Sequence, residues 1–239
     1  MMLNISNLKG GGDYVTPNIC FNEETNKIIL EPEVSASLYE WVDLGLPSGL
    51  KWSAWNVGAT KPEEVGLFFA WGETQGYHLI IDTNDPNADI IFDGRDFKWA
   101  DYTLCDGLLS NMLKYNATDG LTILEASDDA AYATDSSCRI PTKDECQELI
   151  DNTTSKCVDD YNGAGIPGCI FTSNINGNSI FIPAKGIGSN EMKMGGLWLS
   201  NLSSYADYFA TIFAITYMGN GISDQLERCV GVPLRPVKE

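Results

Sequence analysis

From Tyr208 to Tyr217 the chain carries no charged residue, and Gly219-Asn220-Gly221 then supplies residues that tolerate the positive φ of a tight turn. That pattern predicts a C-terminal hairpin. Near the other end, the short apolar runs Asn18–Phe21 and Lys27–Leu30 flank the polar residues 22–26 as two strands flank a turn, and Gly10-Gly11-Gly12 precedes them as a flexible joint. Residues 1–38 therefore form a separate small β element, which fits either an attachment or oligomerisation arm or an edge hairpin on the main domain. Between Tyr39 and Glu73, aromatic and β-branched residues are broken every few positions by Gly or Pro, as short strands and tight turns require.

Residues 74–120 are polar and weakly periodic, the pattern of a long loop region. A short helix is expected around Ser127–Ala133. Pro141-Thr-Lys-Asp-Glu145 then carries a capping box, with Thr142 as N-cap and Glu145 three places on. Cys146, Leu149 and Ile150 give the following helix, Lys143 to Asp151, one apolar stripe. Strands are predicted at Cys169–Thr172 and Ser179–Ile182 around the turn Asn176-Gly177-Asn178, and residues 186–196 read as a glycine-rich loop.

A chain of 239 residues suffices for one large domain with a small appendage. Acidic side chains outnumber basic ones 33 to 15, and the net charge of −18 disfavours nucleic acids and anionic lipid surfaces as partners. No apolar run approaches the roughly 20 residues of a membrane span, so no membrane insertion is expected. Met1–Gly12 lacks the basic start and apolar stretch of a secretory signal. The expectation is synthesis in a cytoplasm and exit by another route, such as a phage particle, or removal of a leader.

Candidate chemistry is sparse. Seven cysteines (20, 105, 138, 146, 157, 169, 229) show no Cys-x-x-Cys spacing and are expected to be buried or idle thiols; a Cys157–Cys169 disulfide is conceivable, without support from spacing. His78 is the only histidine, too little to assemble a catalytic group. Asp82-x-x-Asp85 lacks the register of a calcium loop, and the acidic residues from Asp82 to Asp101 are expected to form a solvated surface. Four of the six tryptophans, Trp41, Trp52, Trp55 and Trp71, cluster early and are expected in the core rather than in a sugar-stacking site. The glycine-rich loop lacks the Gly-Lys-Ser/Thr of a nucleotide site. No catalytic residue, metal ligand or cofactor is assigned.

Several segments, in order, carry a family resemblance. They are Val42-Asp-Leu-Gly-Leu-Pro-Ser-Gly-Leu-Lys-Trp52, Asn56-Val-Gly-Ala59, Phe69-Ala-Trp-Gly-Glu73, Arg139-Ile-Pro-Thr142 with Glu145 and Glu148-Leu-Ile150, Asn176-Gly-Asn-Ser-Ile-Phe-Ile-Pro-Ala184, Leu197-Trp-Leu-Ser200 and Gly231-Val-Pro-Leu-Arg-Pro-Val237. From Tyr39 to Val237 the chain resembles the Fibrobacter succinogenes major paralogous domain family. The resemblance implies an α+β, C-type-lectin-like (formylglycine-generating-enzyme-like) domain over residues 39–239, with short antiparallel strands, few helices and long loops. Members of that family occur in Bacteroides-type bacteria and their phages. Several are variable proteins of diversity-generating retroelements, in which a reverse transcriptase rewrites codons between a Trp-Ser-Ser-like motif and a terminal Arg-Pro-Val. The corresponding frame here is Trp198-Leu-Ser200 and Arg235-Pro-Val237, so residues 198–237 are the implied variable region.

The resemblance thus implies a non-enzymatic protein that binds a protein or cell-surface receptor from a phage virion or bacterial cell surface. Non-varying adhesive domains and formylglycine-generating-type enzymes are the alternatives. Leu199 interrupts the serine pair and Pro233-Leu234 replaces the usual serine. The calcium-and-sugar signature of true lectins is absent, and no reactive cysteine pair or copper site can be matched.

Strand parity sorts the terminal stretch. If Phe213, Ile215 and Tyr217 point inward, as the family frame favours, Ile212, Ala214, Thr216 and Met218 point outward. Tyr205, Asp207 and Tyr208 lie in the loop before, and Asn220 and Asp224 in the turn and strand after. These nine residues are the candidate ligand-binding set, a mix in which Tyr supplies contact area at low entropic cost. The alternative is that both faces of the strand are covered and the run is core.

Overall fold

The computed structural model describes residues 18–22, 27–31, 38–80, 91–109, 111–184, 195–216 and 219–239. Two units divide the chain, Met1–Leu38 and Tyr39–Glu239. In the first, β1 (Asn18–Asn22) and β2 (Lys27–Glu31) pair antiparallel with Asn22 opposite Lys27, the hairpin that the apolar runs predict.

The second unit is mainly antiparallel β with few helices. Its strands are β3 (Trp41–Asp43), β4 (Lys51–Ser53), β5 (Leu67–Phe69), β6 (Tyr77–Ile80), β7 (Ile91–Phe92), β8 (Thr153–Val158), β9 (Gly168–Ser173), β10 (Ser179–Pro183), β11 (Gly195–Leu202), β12 (Phe209–Thr216), β13 (Gly219–Glu227), β14 (Val232–Pro233) and β15 (Val237–Lys238). They form four small sheets, ordered β15-β4-β3, β14-β5-β6-β7, β10-β9-β8 and β11-β12-β13. Among the described residues two α-helices, α1 (Ala130–Thr134) and α2 (Lys143–Asn152), lie between β7 and β8 in the chain, along with short 3-10 turns at Trp99–Asp101 and Ala126–Asp128.

Local chemistry accounts for the helices. Thr142 accepts from the Glu145 N–H at 3.3 Å while the Glu145 carboxylate accepts from the Thr142 N–H at 2.8 Å, so the capping box predicted for α2 closes in both directions. Cys146 and Leu149 are buried beneath it and Ile150 is partly so. Asp129 caps α1, accepting from the N–H groups of Ala131 and Tyr132, and its second oxygen accepts from the Ile140 N–H. Burial of this carboxyl raises its pKa despite the three donors.

The two ends of the second unit are zipped together. Val237 pairs with Trp52 across β15–β4, and Val232 pairs with Phe69 across β14–β5. Two tryptophans tie β11 to the same region. Trp71 Nε1 donates to the Leu199 carbonyl and Trp198 Nε1 to the Phe69 carbonyl, both at 2.8 Å, which satisfies two indole donors that burial would otherwise orphan. Of the four early tryptophans expected in the core, Trp52 and Trp71 are buried, whereas Trp41 and Trp55 are half-buried and pack against the edge of a core cluster.

Three features differ from the sequence expectations. The polar stretch after residue 74 contributes β6 and β7, because Leu67 and Phe68 of β5 pair with His78 and Tyr77. His78 is exposed there, and Asp82, Asp85 and Asp89 lie outside the described residues. The C-terminal hairpin is a three-stranded sheet, since β11 pairs along β12 from Gly195↔Ile215 to Leu202↔Ala210. Of the expected glycine-rich loop, residues 186–194 lie outside the described residues and Gly195 and Gly196 begin β11, where a Cβ on Gly196 would meet the Ile212 side chain and the Phe213 carbonyl at 2.7 Å.

Cys157 and Cys169 are not idle thiols: they are directly opposed on β8 and β9 and form a disulfide. Spacing could not reveal this, because opposition is set by the strand register. The link closes a separation of 12 residues, and replacing both cysteines by Ala is expected to lower stability by about 2–3 kcal/mol. Urea unfolding under non-reducing conditions measures this, and the double variant should be insensitive to dithiothreitol where the native protein is not.

Candidate functional site

The segment between Trp198 and Arg235 is clamped at both ends. Trp198 and Arg235 have no solvent exposure. The Arg235 guanidinium donates to Asn56 Oδ1 at 2.7 Å and to the carbonyls of Ser53 and Phe181 at 3.0 Å. Burial pulls its pKa down to about 9, which still leaves it cationic at neutral pH.

Between these anchors a loop, residues 203–208, connects β11 to β12. Its backbone is closed by local bonds: Ser203 N–H to the Phe209 carbonyl at 3.2 Å, Phe209 N–H to Ala206 at 3.1 Å, and Tyr205 N–H to Ser203 Oγ at 2.9 Å. Ser204 Oγ donates to Asp224 Oδ2 at 3.0 Å and ties the loop to β13. The rings of Tyr205 and Tyr208 lie 6.1 and 4.4 Å from the Phe209 ring.

A second fully buried arginine supports this loop from below. Arg228 donates to Tyr102 Oη at 2.9 Å and to the carbonyls of Asp207 at 2.8 Å, Lys114 at 3.1 Å and Tyr115 at 3.3 Å. Its guanidinium sits against the rings of Trp71, Tyr102 and Tyr115, 4.8, 5.3 and 5.7 Å from their centres. Neither sequence periodicity nor any motif marks Arg228. A lone arginine after a polar strand looks like surface until the neighbouring chain segments converge on it.

Of the nine candidate residues, Tyr205 is the most exposed at 69%, while Asp207, Tyr208, Ala214, Thr216, Asn220 and Asp224 are half-buried. Met218 and its inward counterpart Tyr217 lie outside the described residues. Ile212 requires a correction. It is only 4% exposed and packs in a core cluster with Trp71, Trp198, Val232 and Leu234. Phe213 and Ile215, on the opposite face, are also buried, in a second cluster with Phe171 and Leu199. The parity assignment separates two faces, but β11 and β13 flank β12 and core covers both faces along its middle. Such a strand reads as a continuous apolar run rather than an alternating one.

The remaining candidates fall into two groups. Tyr205, Asp207, Tyr208 and Asp224 gather at the 203–208 loop. Ala214, Thr216 and Asn220 lie toward the far end of the β12–β13 hairpin, where Asn220 Nδ2 donates to Ser155 Oγ at 2.9 Å and Thr216 Oγ1 to the Gly219 carbonyl at 3.0 Å. The rise of about 3.4 Å per residue along β12 puts Ala214 roughly 20 Å from Tyr208, while Asp224, beside Ser223 opposite Ile212, lies between the two groups.

Comparison with protein-family models, curated proteins and solved structures gives no significant match. The chemistry of the surface therefore rests on its own residues. Among the described residues, no three His, Cys, Asp or Glu side chains are grouped to hold a metal ion, and no helix is long and apolar enough to cross a membrane. The thiols of Cys105, Cys138, Cys146 and Cys229 are buried. Burial pushes those of Cys138 and Cys229 up to about 12, and that of Cys146 upward as well, far from the thiolate that nucleophilic chemistry needs.

The contrast between Ile212 and Tyr205 is directly measurable. Ile212→Asp places a carboxylate in core and is expected to cost about 3–5 kcal/mol, lowering Tm by roughly 10 °C, whereas Tyr205→Ala should stay within about 0.5 kcal/mol of native. Calorimetry of the two variants decides it. For the thiols, iodoacetamide treatment of native protein near pH 8 should leave Cys105, Cys138, Cys146 and Cys229 unmodified, while urea-unfolded protein is labelled at all four, as read by peptide mass spectrometry.

Proposed function

We propose that the chain is a ligand-binding protein that displays a C-terminal recognition surface on a C-type-lectin-like scaffold, and that retroelement-directed mutagenesis diversifies this surface. Its partner is a protein or cell-surface receptor, met from a phage virion or a bacterial cell surface. The observation that carries this reading is the distribution of burial inside the frame. Trp198, Arg228 and Arg235 have no exposure, while Tyr205 and its neighbours Ser204, Asp207, Tyr208 and Asp224 reach solvent between them. Exchange of the exposed residues leaves the clamps and their hydrogen bonds untouched. A surface that varies needs this separation, because most core substitutions destabilise and most exposed ones do not.

The composition of the loop supports the same reading. Tyrosine, serine and aspartate beside a ring cluster offer large contact area and adaptable hydrogen bonding. With Ile212 in the core, the surface is smaller than strand parity alone suggests: it consists of the 203–208 loop and the outer side of β13, with Ala214, Thr216 and Asn220 at the far end of the hairpin.

Deep sequencing of the gene across a population, together with the DNA that flanks it, tests the proposal. Substitutions are expected at codons 205, 207, 208, 220 and 224 and not at 198, 212, 228 or 235. A near-copy of the terminal coding segment beside a reverse-transcriptase gene should differ from it only at adenine positions. Invariant codons and no such copy would favour a non-varying adhesive domain of the same fold.

A further inference from the structure

Three exposed leucines lie close together outside the Trp198–Arg235 frame: Leu108 at 64%, Leu109 at 40% and Leu113 at 61% exposure. The described residues on either side of position 110 are hydrogen-bonded to one another. Cys105 and Met112 face each other in an antiparallel bridge, Asp106 N–H donates to the Asn111 carbonyl at 3.1 Å, and Leu113 N–H donates to the Leu104 carbonyl at 2.9 Å. Cys105 and Met112 point into a core cluster, so the leucines are held on the outside. Exposed leucines grouped in this way mark an interaction site more often than chance does.

This loop abuts the 203–208 loop. The carbonyls of Lys114 and Tyr115, next to Leu113, and the carbonyl of Asp207 all accept from the one Arg228 guanidinium. Tyr208 packs against the cluster that holds Cys105, Met112 and Cys229. Arg228 N–H also donates to the Tyr208 carbonyl, at 3.1 Å.

We propose that Leu108, Leu109 and Leu113 join Tyr205 and Tyr208 in one composite recognition surface, whose occupant is a protein surface with an apolar centre and a basic rim. The proposal rests on the reading of the 203–208 loop as a recognition surface and extends it to a loop that lies outside the variable frame. Arg228 is the positioning residue that sets the two loops side by side.

Charge selects the occupant. Asp106, Asp119 and Glu227 are exposed around these loops and Asp207 and Asp224 partly so, while the nearby Lys114 is already paired with Glu125 and Asp128. The chain as a whole carries −18. A second copy would bring the same acids face to face, and phosphate-rich partners are repelled, whereas a basic protein is attracted.

Selection of binders from a yeast-displayed random peptide library against the full chain tests the proposal. Selected peptides should be rich in Lys or Arg together with Leu, Ile or Phe, and should bind less well as salt is raised. Leu108→Asp with Leu113→Asp should weaken them by about tenfold or more, as should Tyr205→Ala, whereas Tyr132→Ala on α1 should not. Leu108→Gln with Leu113→Gln gives a second variant should the aspartates impair folding, which circular dichroism reports.

Unchanged binding by the leucine variants with loss in Tyr205→Ala would overturn the composite surface and leave the 203–208 loop standing. Unchanged binding by both would overturn the recognition reading beneath it. Acidic or neutral peptides, or no binder above background, would overturn the assigned partner chemistry. A dimer seen by analytical ultracentrifugation and abolished by Leu113→Asp would give the surface to a second copy instead.

Discussion

The guanidinium of Arg235 is the contact on which the rest of the second unit depends. It is fully buried, and its three acceptors are uncharged oxygens, from Ser53 at the end of β4, Asn56 in the turn that follows, and Phe181 in β10. A buried cation without a carboxylate partner is tolerated when several oriented oxygens surround it. Each of those oxygens in turn would be left unsatisfied at a cost of about 1–3 kcal/mol without the arginine. One side chain thus joins the start of the unit, its middle and the segment between its last two strands. The β15–β4 and β14–β5 pairings then close the chain on itself.

Arg228 repeats this device for the surface. Its acceptors are the Tyr102 hydroxyl and three backbone carbonyls from two loops, and the rings of Trp71, Tyr102 and Tyr115 line its pocket. Backbone carbonyls are present whatever the side chain at a position, so this support does not depend on which residues stand at 207 or 114. A loop held by its main chain can change its side chains without losing its place, and this independence makes the recognition reading physically economical. Between Trp198 and Arg235, solvent contact is concentrated in the loop and β13, because core covers both faces of β12 along its middle and leaves only Phe209, Ala214 and Thr216 of that strand half-buried.

Residues 39–239 are mainly antiparallel β with few helices, and the Trp198–Arg235 segment holds three of the strands in one sheet. Within the segment, the uncharged, largely apolar run of β12 carries a warning. An alternating pattern marks a half-exposed strand, and Ala210 to Ile215 do not alternate. Assigning Ile212 outward required that one face be open, and β11, hidden behind a glycine-rich opening, was not visible as a third strand. The same stretch of sequence did mark Tyr205, Asp207 and Tyr208 as loop residues, since Ser203-Ser204 and Asp207 break the apolar pattern.

The sequence by itself determined the local elements: the N-terminal hairpin, the capping box of α2, the turn at Gly177 and the two strands around it, each written in neighbouring residues whose backbone preferences and side-chain bonds act within a few positions. Tertiary structure alone decided the Cys157–Cys169 bond, the burial of Ile212, the pairing of β6 with β5, and the convergence of residues 114, 115 and 207 on Arg228. Each of these depends on which distant segment covers a face or an edge. Periodicity reports that a face is apolar, but the residues that cover it lie dozens of positions away, and only the packed chain brings them together.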